Sequence, residues 1–325
     1  MKVCVFGAGA VGGHLAARLA KGGAEVSAVT RGAHLRAIQA DGLLVHAADG
    51  DIHARIAATD DPRELGPQDA VVVTVKAPAL PAVAAAIAPL LGEQTPVAFV
   101  MNGIPWWYFY RHGGPHDGRR LPLVDPGDEV WNAIGPARAI GGVVYSACTV
   151  IRPGVVEVEN RRSRIILGEP DGSRSARVAA LAEALAAGGI GAQVTEAIRD
   201  AIWSKLLLNL TSGPFAILAG APVKDIFLEP PMEAAAGRVA AEAVAIARGM
   251  GCRPIHDANA QASSYLQMAH KPSLLQDLEL GRPMEIDALL VAPLELARLS
   301  GVETPLLDVL VSLAKVRARV AGLYR

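Results

Sequence analysis

Val3-Cys4-Val5-Phe6-Gly7-Ala8-Gly9-Ala10-Val11-Gly12 decides the fold. Four apolar residues, a short strand, run into a turn with glycine at its first, third and sixth positions. An Ala/Leu-rich helical segment, Gly12 to Lys21, follows and is closed by Gly22-Gly23. Each glycine has a task in such a turn. Gly7 permits the tight reversal, Gly9 lets the backbone approach a pyrophosphate, and Gly12 allows helix and strand to pack closely, while unpaired helix N–H groups face the phosphates. Gly7, Ala8, Gly9, Ala10, Val11 and Gly12 are therefore the candidate dinucleotide-binding element; the alternative is a chance glycine-rich turn between strand and helix.

The next strand, Glu25 to Val29, tells which dinucleotide. A carboxylate at its end would hold a ribose 2′-hydroxyl and repel a 2′-phosphate. The chain instead reads Val29-Thr30-Arg31-Gly32, and the forked donors of Arg31 suit a 2′-phosphate, so NADP (as NADPH) is the expected cofactor. By itself Arg31 is also what a solvated arginine after a strand looks like.

Strand-like and helix-like segments keep alternating through about residue 145. Ala70–Val75 and Pro96–Met101 read as buried parallel strands. Val143–Thr149, Val155–Glu159 and Arg164–Leu167 read as antiparallel additions near the sheet edge, and Val178–Ala187 as a helix. After roughly residue 196 the strand signal ends. Ala197–Leu210, Pro231–Met250, Asn259–Gln267, Ser273–Leu280 and Met284–Leu299 read as helices between Gly/Pro breaks. The expected architecture is α/β: a Rossmann-type dinucleotide-binding domain over residues 1–196, then an all-α substrate and catalytic domain over 197–325, with the active site between them.

Composition limits the function. With 325 residues, two domains are the default, and a net charge of −1 offers nothing to a phosphate backbone or an anionic membrane. Neither nucleic acid nor membrane is an expected partner. Three cysteines, Cys4, Cys148 and Cys252, without a CxxC spacing argue against a disulfide framework and a zinc site. No metal is expected, and His112 and His116 are separated by Gly113-Gly114-Pro115, which forbids a shared helix face. The first strand begins at Val3, which leaves no room for an export signal, so a cytoplasmic location is expected. Leu206–Val223 is apolar but interrupted by Asn209, Thr211, Ser212, Gly213, Pro214 and Gly220; it reads as a buried helix pair rather than a membrane span. The sequence does not fix the oligomeric state, and a homodimer is compatible with it.

Lys76 and Asn102 each follow a strand, on the rim where open α/β sheets bind ligands. A solvated lysine and an Asn-Gly turn pair are the plain alternatives. Lys205 and Asn209, four residues apart, share one helix face, and a lysine among Trp203, Leu206, Leu207 and Leu208 either snorkels to water or has a task. Glu285 is a charge in an otherwise apolar helix and needs a partner or solvent. As plain structure it is a first-turn acid, and Ser273 a helix cap.

Taken together, the GAGAVG turn, Val73-Thr74-Val75-Lys76, Asn102-Gly103, Trp203 to Asn209, and Ser273-Leu274-Leu275-Gln276-Asp277 leading to Glu285-Ile286-Asp287 resemble the ketopantoate reductase (2-dehydropantoate 2-reductase) family over nearly the whole chain. The resemblance implies NADPH-dependent reduction of a 2-oxo acid, ketopantoate giving pantoate in pantothenate biosynthesis. It makes Lys205 the general acid, oriented by Glu285, which also contacts ligand. Asn102, Asn209 and Ser273 become substrate contacts, with Lys76 and Asn102 by the nicotinamide ribose. Two departures bear on the substrate. A second asparagine usual in the family is replaced by Gly213, which leaves a substrate group to water or enlarges the pocket; and a long stretch after Asn102 carries Trp106-Trp107-Tyr108-Phe109-Tyr110, either a loop anchor or a lid. A paralogue acting on a different 2-oxo acid, or a non-catalytic NADPH-binding sensor, are the alternatives; Lys205, Asn209, Ser273 and Glu285 together argue against a sensor.

Overall fold

In the computed structural model, which describes residues 1–257, 265 and 271–325, the opening apolar run is β1 (Lys2–Phe6) and the helix after the glycine turn is α1 (Ala10–Lys21). The chain continues through β2 (Glu25–Val29), α2 (Gly32–Asp41), β3 (Leu43–His46), β4 (Ile52–Ala54), β5 (Ala57–Thr59), β6 (Ala70–Val73), α3 (Leu80–Ala86) and β7 (Val97–Val100). Then come α4 (Glu129–Ile134), β8 (Ala139–Tyr145), β9 (Cys148–Arg152), β10 (Val155–Val158), β11 (Arg164–Gly168), α5 (Ala176–Ala187) and β12 (Gly191–Val194). The chain divides into two compact units, Met1–Met101 with Trp106–Ile198, and Asn102–Pro105 with Arg199–Arg325.

In the first unit the larger sheet runs β12-β11-β8-β7-β6-β1-β2-β5. From β5 to β8 every pairing is parallel, in the doubly wound order of a Rossmann-type sheet; β11 runs antiparallel to β8. The wholly apolar strands β6 and β7 are buried along their length, as parallel strands covered on both faces must be. Strand order reverses between β1 and β6, so the ligand-binding crevice of such a sheet lies at their carboxyl ends.

Three sequence expectations need correction here. Val143–Thr149 is two strands, because Ser146 and Ala147 leave the ladder. The Ser146 hydroxyl meets His14 Nδ1, Cys148 Sγ and Ser163 Oγ at 2.9–3.0 Å, and Ala147 N–H donates to the Asn160 side chain. In consequence β9 and β10 are not additions to the large sheet. They form a second sheet, β4-β3-β10-β9, lying against α1. The strand expected over Ala70–Val75 ends at Val73, since Thr74 Oγ1 turns to donate to Gly7 O at 2.7 Å. Third, the open choice for the aromatic run after β7, loop anchor or lid, falls to the anchor, because most of the run is interior. Trp106, Trp107, Tyr108 and Phe109 are at most 1% exposed, with Trp106 edge-on to Phe99 and Trp131, so they anchor the long connection and have no free face with which to form a lid.

The second unit is helical: α6 (Ile198–Ala219), α7 (Val223–Ile226), α8 (Pro230–Gly249), α9 (Ser273–Glu279), α10 (Ala292–Ser300), preceded by a π-turn at Asp287–Val291, and α11 (Pro305–Val320). The helix expected at Asn259–Gln267 lies outside the described residues. Gly249 brings α8 against α10, where a Cβ would stand 2.6 Å from Ser300 Cβ. Glu242 of α8 accepts from Leu306 and Leu307 N–H at the start of α11 (3.0 and 2.8 Å), satisfying two orphan donors.

The expected helix pair over Leu206–Val223 begins instead as one helix, α6, with Pro214 inside it. Thr211 and Ser212 hydroxyls donate back to Leu207 O and Leu208 O at 2.6 Å, so these polar residues satisfy themselves within the helix rather than ending it. By length and hydropathy α6 would pass as a membrane span, but 72% of its most apolar window is buried within the protein, the mark of a core helix.

Candidate active site

The turn after β1 follows the glycine logic atom by atom. Gly7 has φ +100, and a Cβ on it would stand 2.6 Å from Val75 Cγ1. On Gly12 a Cβ would lie 2.2 Å from Gly7 O and 2.3 Å from Thr74 Oγ1. Gly9 is different: nothing lies within 4 Å of where its Cβ would be. No side chain caps α1 and no acid stands in its first turn. An uncapped helix start beside an open glycine is a cradle for an anion, and a pyrophosphate fits it.

Arg31 is exposed, directly after β2 and Thr30 and ahead of α2. Three residues on, His34 Nδ1 accepts Gly154 N–H at 3.0 Å, tying the start of α2 to the β9–β10 turn. Burial pushes the His34 pKa down. Lys76 is half-buried beyond β6, ahead of a short 3₁₀ turn, and thus stands at the carboxyl end of the strand beside β1.

Sequence reading missed a polar cluster on the inner face of α1. His14 is fully buried. Arg18 Nε–H donates to His14 Nε2 (3.2 Å), and its guanidinium grips Asp49 with two bonds of 2.6 Å. Burial first, then the Arg18 charge, push the His14 pKa down to about 4; Arg18 holds Asp49 down to about 2. With Nε2 accepting, the neutral ring carries its proton on Nδ1 and donates it to Ser146 Oγ. The ring therefore has no lone pair for Ser146 or Cys148, and the trio is no nucleophile-base pair. His14 and Arg18 are one turn apart, but Asp49, Ser146 and Cys148 lie too far along the chain for any motif to reveal the cluster.

In the second unit, Lys205 and Asn209 are half-buried on α6. The Asn209 amide nitrogen is buried with no hydrogen-bond partner among the described residues. Ser273 is exposed and is the first residue of α9, whose cap position is Pro272; Ser273 is not the cap. Glu285 is 5% exposed. It stands just ahead of the helix rather than within it, its carbonyl accepting Leu289 N–H at 3.1 Å.

Two contacts gather these elements. Gly213, one turn beyond Asn209, faces α9: a Cβ there would lie 3.2 Å from Leu274 Cδ1. The end of the Leu274 side chain thus borders the place from which an asparagine side chain would start. Asn102-Gly103 belongs to this unit and packs on the turn after Glu285. Ile104 N–H donates to Ala288 O at 2.9 Å, and Gly103 (φ +84) comes so close that a Cβ would stand 2.4 Å from that oxygen. The backbone just after Asn102 and the turn just after Glu285 are thus brought together, and α6 and α9 likewise.

Comparison with known proteins agrees across both units. Residues 3–172 match the family model described as ketopantoate reductase PanE/ApbA, and residues 197–318 match its C-terminal model. A 2-dehydropantoate 2-reductase of Mesorhizobium japonicum is 45% identical over the whole of both chains. A solved chain from Ralstonia solanacearum MolK2 superposes with a TM-score of 0.91 at 42% identity, covering 99% of each. The 2-dehydropantoate 2-reductase of Geobacter metallireducens does so with 0.85 at 27%, covering 97% of this chain and 99% of its own.

Proposed function

The chain belongs to the ketopantoate reductase family, and from that premise we propose that it reduces ketopantoate to pantoate at the expense of NADPH, in pantothenate biosynthesis. The observation that carries the reading is Asn209: a buried donor without an acceptor among the described residues, one turn from a lysine, is a group that a ligand can complete.

The cradle at Gly9 and the uncapped start of α1 fit the pyrophosphate, and Arg31 fits a 2′-phosphate. When bound, the dinucleotide supplies the hydride. Lys205 holds a proton at Nζ and gives it to the carbonyl oxygen as negative charge develops there, stabilising the alkoxide before neutralising it. Glu285 orients that ammonium and contacts ligand, Asn209 donates to the substrate, and Ser273 binds its carboxylate. Asn102 and Lys76 serve the nicotinamide ribose and the substrate side. The reading makes this a cytoplasmic enzyme of a small molecule, with no part for nucleic acid or membrane. The two departures that favoured another 2-oxo acid lose part of their force, because Trp106 to Phe109 are interior and Leu274 borders the space beside Gly213.

The test is NADPH consumption with ketopantoate and a panel of other 2-oxo acids, repeated with NADH. Ketopantoate with NADPH should give the highest kcat/KM. Better use of another 2-oxo acid, equal use of NADH, or no turnover with any substrate would each count against the proposal.

A further inference from the structure

The C-terminal tail reaches back to the site. Gly322, at φ +71, ends α11: its N–H donates to Arg319 O at 2.8 Å, and Leu323 N–H donates to Ala318 O at 2.9 Å. That pair of bonds is the reversal a left-handed glycine imposes on a helix end, and it turns the remaining residues back. Tyr324 then donates its phenol hydrogen to Asp287 Oδ1 at 2.5 Å, with the Arg319 guanidinium 5.6 Å from its ring centre. Burial and the adjoining carboxylate push the phenol's pKa up to about 12, so it keeps its proton at every working pH.

Asp287 opens the π-turn, where Ala292 N–H reaches back five residues to Asp287 O. Such widened turns are rare and concentrate at functional sites. This one presents Ala288 O to Ile104 N–H, with Gly103 pressed against the same oxygen. A single hydrogen-bonded path therefore links Tyr324 to Asp287, to the π-turn, and to the backbone beside Asn102, while Glu285 sits two residues upstream. Resting on the reading of Asn102 and Glu285 as site residues, we infer that Tyr324 is a positioning residue: its bond to Asp287 fixes the π-turn, and with it the placement of Asn102 and Glu285 for catalysis.

Tyr324→Phe removes the donor and keeps the ring. In the full-length enzyme kcat for ketopantoate should fall about three- to tenfold, with a smaller loss of NADPH affinity through Asn102 and a Tm within about a degree or two of native, because the dinucleotide turn and the buried apolar core are not altered. Asp287→Asn keeps an acceptor for the phenol and should retain more of the rate than Asp287→Ala; adding Tyr324→Phe to Asp287→Ala should cost nothing further. Normal kcat in Tyr324→Phe, a loss matched by a fall in Tm, or full additivity with Asp287→Ala overturns the inference. Glu285→Gln in the same assay separates this from the underlying reading. If that variant turns over normally the site assignment fails; if it is crippled while Tyr324→Phe is normal, only the role of the tail fails.

Discussion

Gly9→Ala puts a methyl group where no atom beyond its chain neighbours lies within 4 Å, on a backbone at φ −73 and ψ −147, clear of the positive-φ region that strains an L-residue. The fold should not notice it. The methyl does occupy the space through which a pyrophosphate approaches the start of α1, and losing one hydrogen bond to a charged phosphate costs about 1.5–3 kcal/mol, or about ten- to a hundredfold in affinity. Gly12→Ala is the internal control. Its methyl would stand 2.2 Å from Gly7 O, a backbone atom that cannot swing aside, so the strand-turn-helix unit must shift. Overpacking of that kind costs about 1–3 kcal/mol, several degrees of Tm in a unit of this size. Fluorescence titration with NADPH and thermal melts of the apoprotein measure the two effects separately. The reasoning is refuted if Gly9→Ala binds NADPH with native affinity, or if it lowers Tm as much as Gly12→Ala does.

Three further outcomes are expected. Lys205→Ala should cut kcat by about a hundred- to ten-thousandfold with NADPH binding intact; near-normal turnover would remove the lysine from the mechanism. His14, held down to about 4, cannot take the proton that an unfolded imidazole takes near 6.5. Stability is therefore full above pH 6.5 and lost as pH falls toward 4, by up to about 3 kcal/mol; His14→Gln should flatten the dependence of denaturation midpoint on pH in that window, and a flat native curve would contradict it. Gly213→Asn must displace Leu274, whose Cδ1 lies 3.2 Å from the new Cβ, so ketopantoate kcat/KM should fall and recover with Leu274→Ala added; improvement in the single variant would mean the space is open after all.

Legibility in the sequence followed the range of the interactions. The GAGAVG turn, the apolar parallel strands and the helical second half are written in residues close along the chain, and periodicity found them. What failed was decided by partners far away. Ser146 breaks a run that looks like one strand because its hydroxyl partner, His14, lies 132 residues earlier. Strands β3 and β4 are too short to alternate visibly, and only pairing with β10 defines their sheet. Pro214 was a fair helix breaker by local rules, yet α6 runs through it because burial of the flanking apolar residues outweighs one missing bond. Within the candidate site, residue types and order were readable. That Leu274 borders the place beside Gly213, or that Tyr324 reaches Asp287, was not, since both depend on how helices pack.

The small sheet against α1 sets a timetable for biosynthesis. Every residue of the phosphate turn is made more than a hundred residues before β10, but β3 pairs with β10, Leu44 opposite Val155, and both strands lie on α1. Pairings so distant along the chain close slowly, and a domain gains its stability as a unit. A nascent chain that has not yet made Val158 therefore carries the complete glycine motif on a helix covered by β1 to β4 but not yet by β10 or α5. Fragments that stop before β10 should therefore be less soluble than the whole chain despite containing the entire glycine motif, which expression of a fragment ending at Arg152 would check.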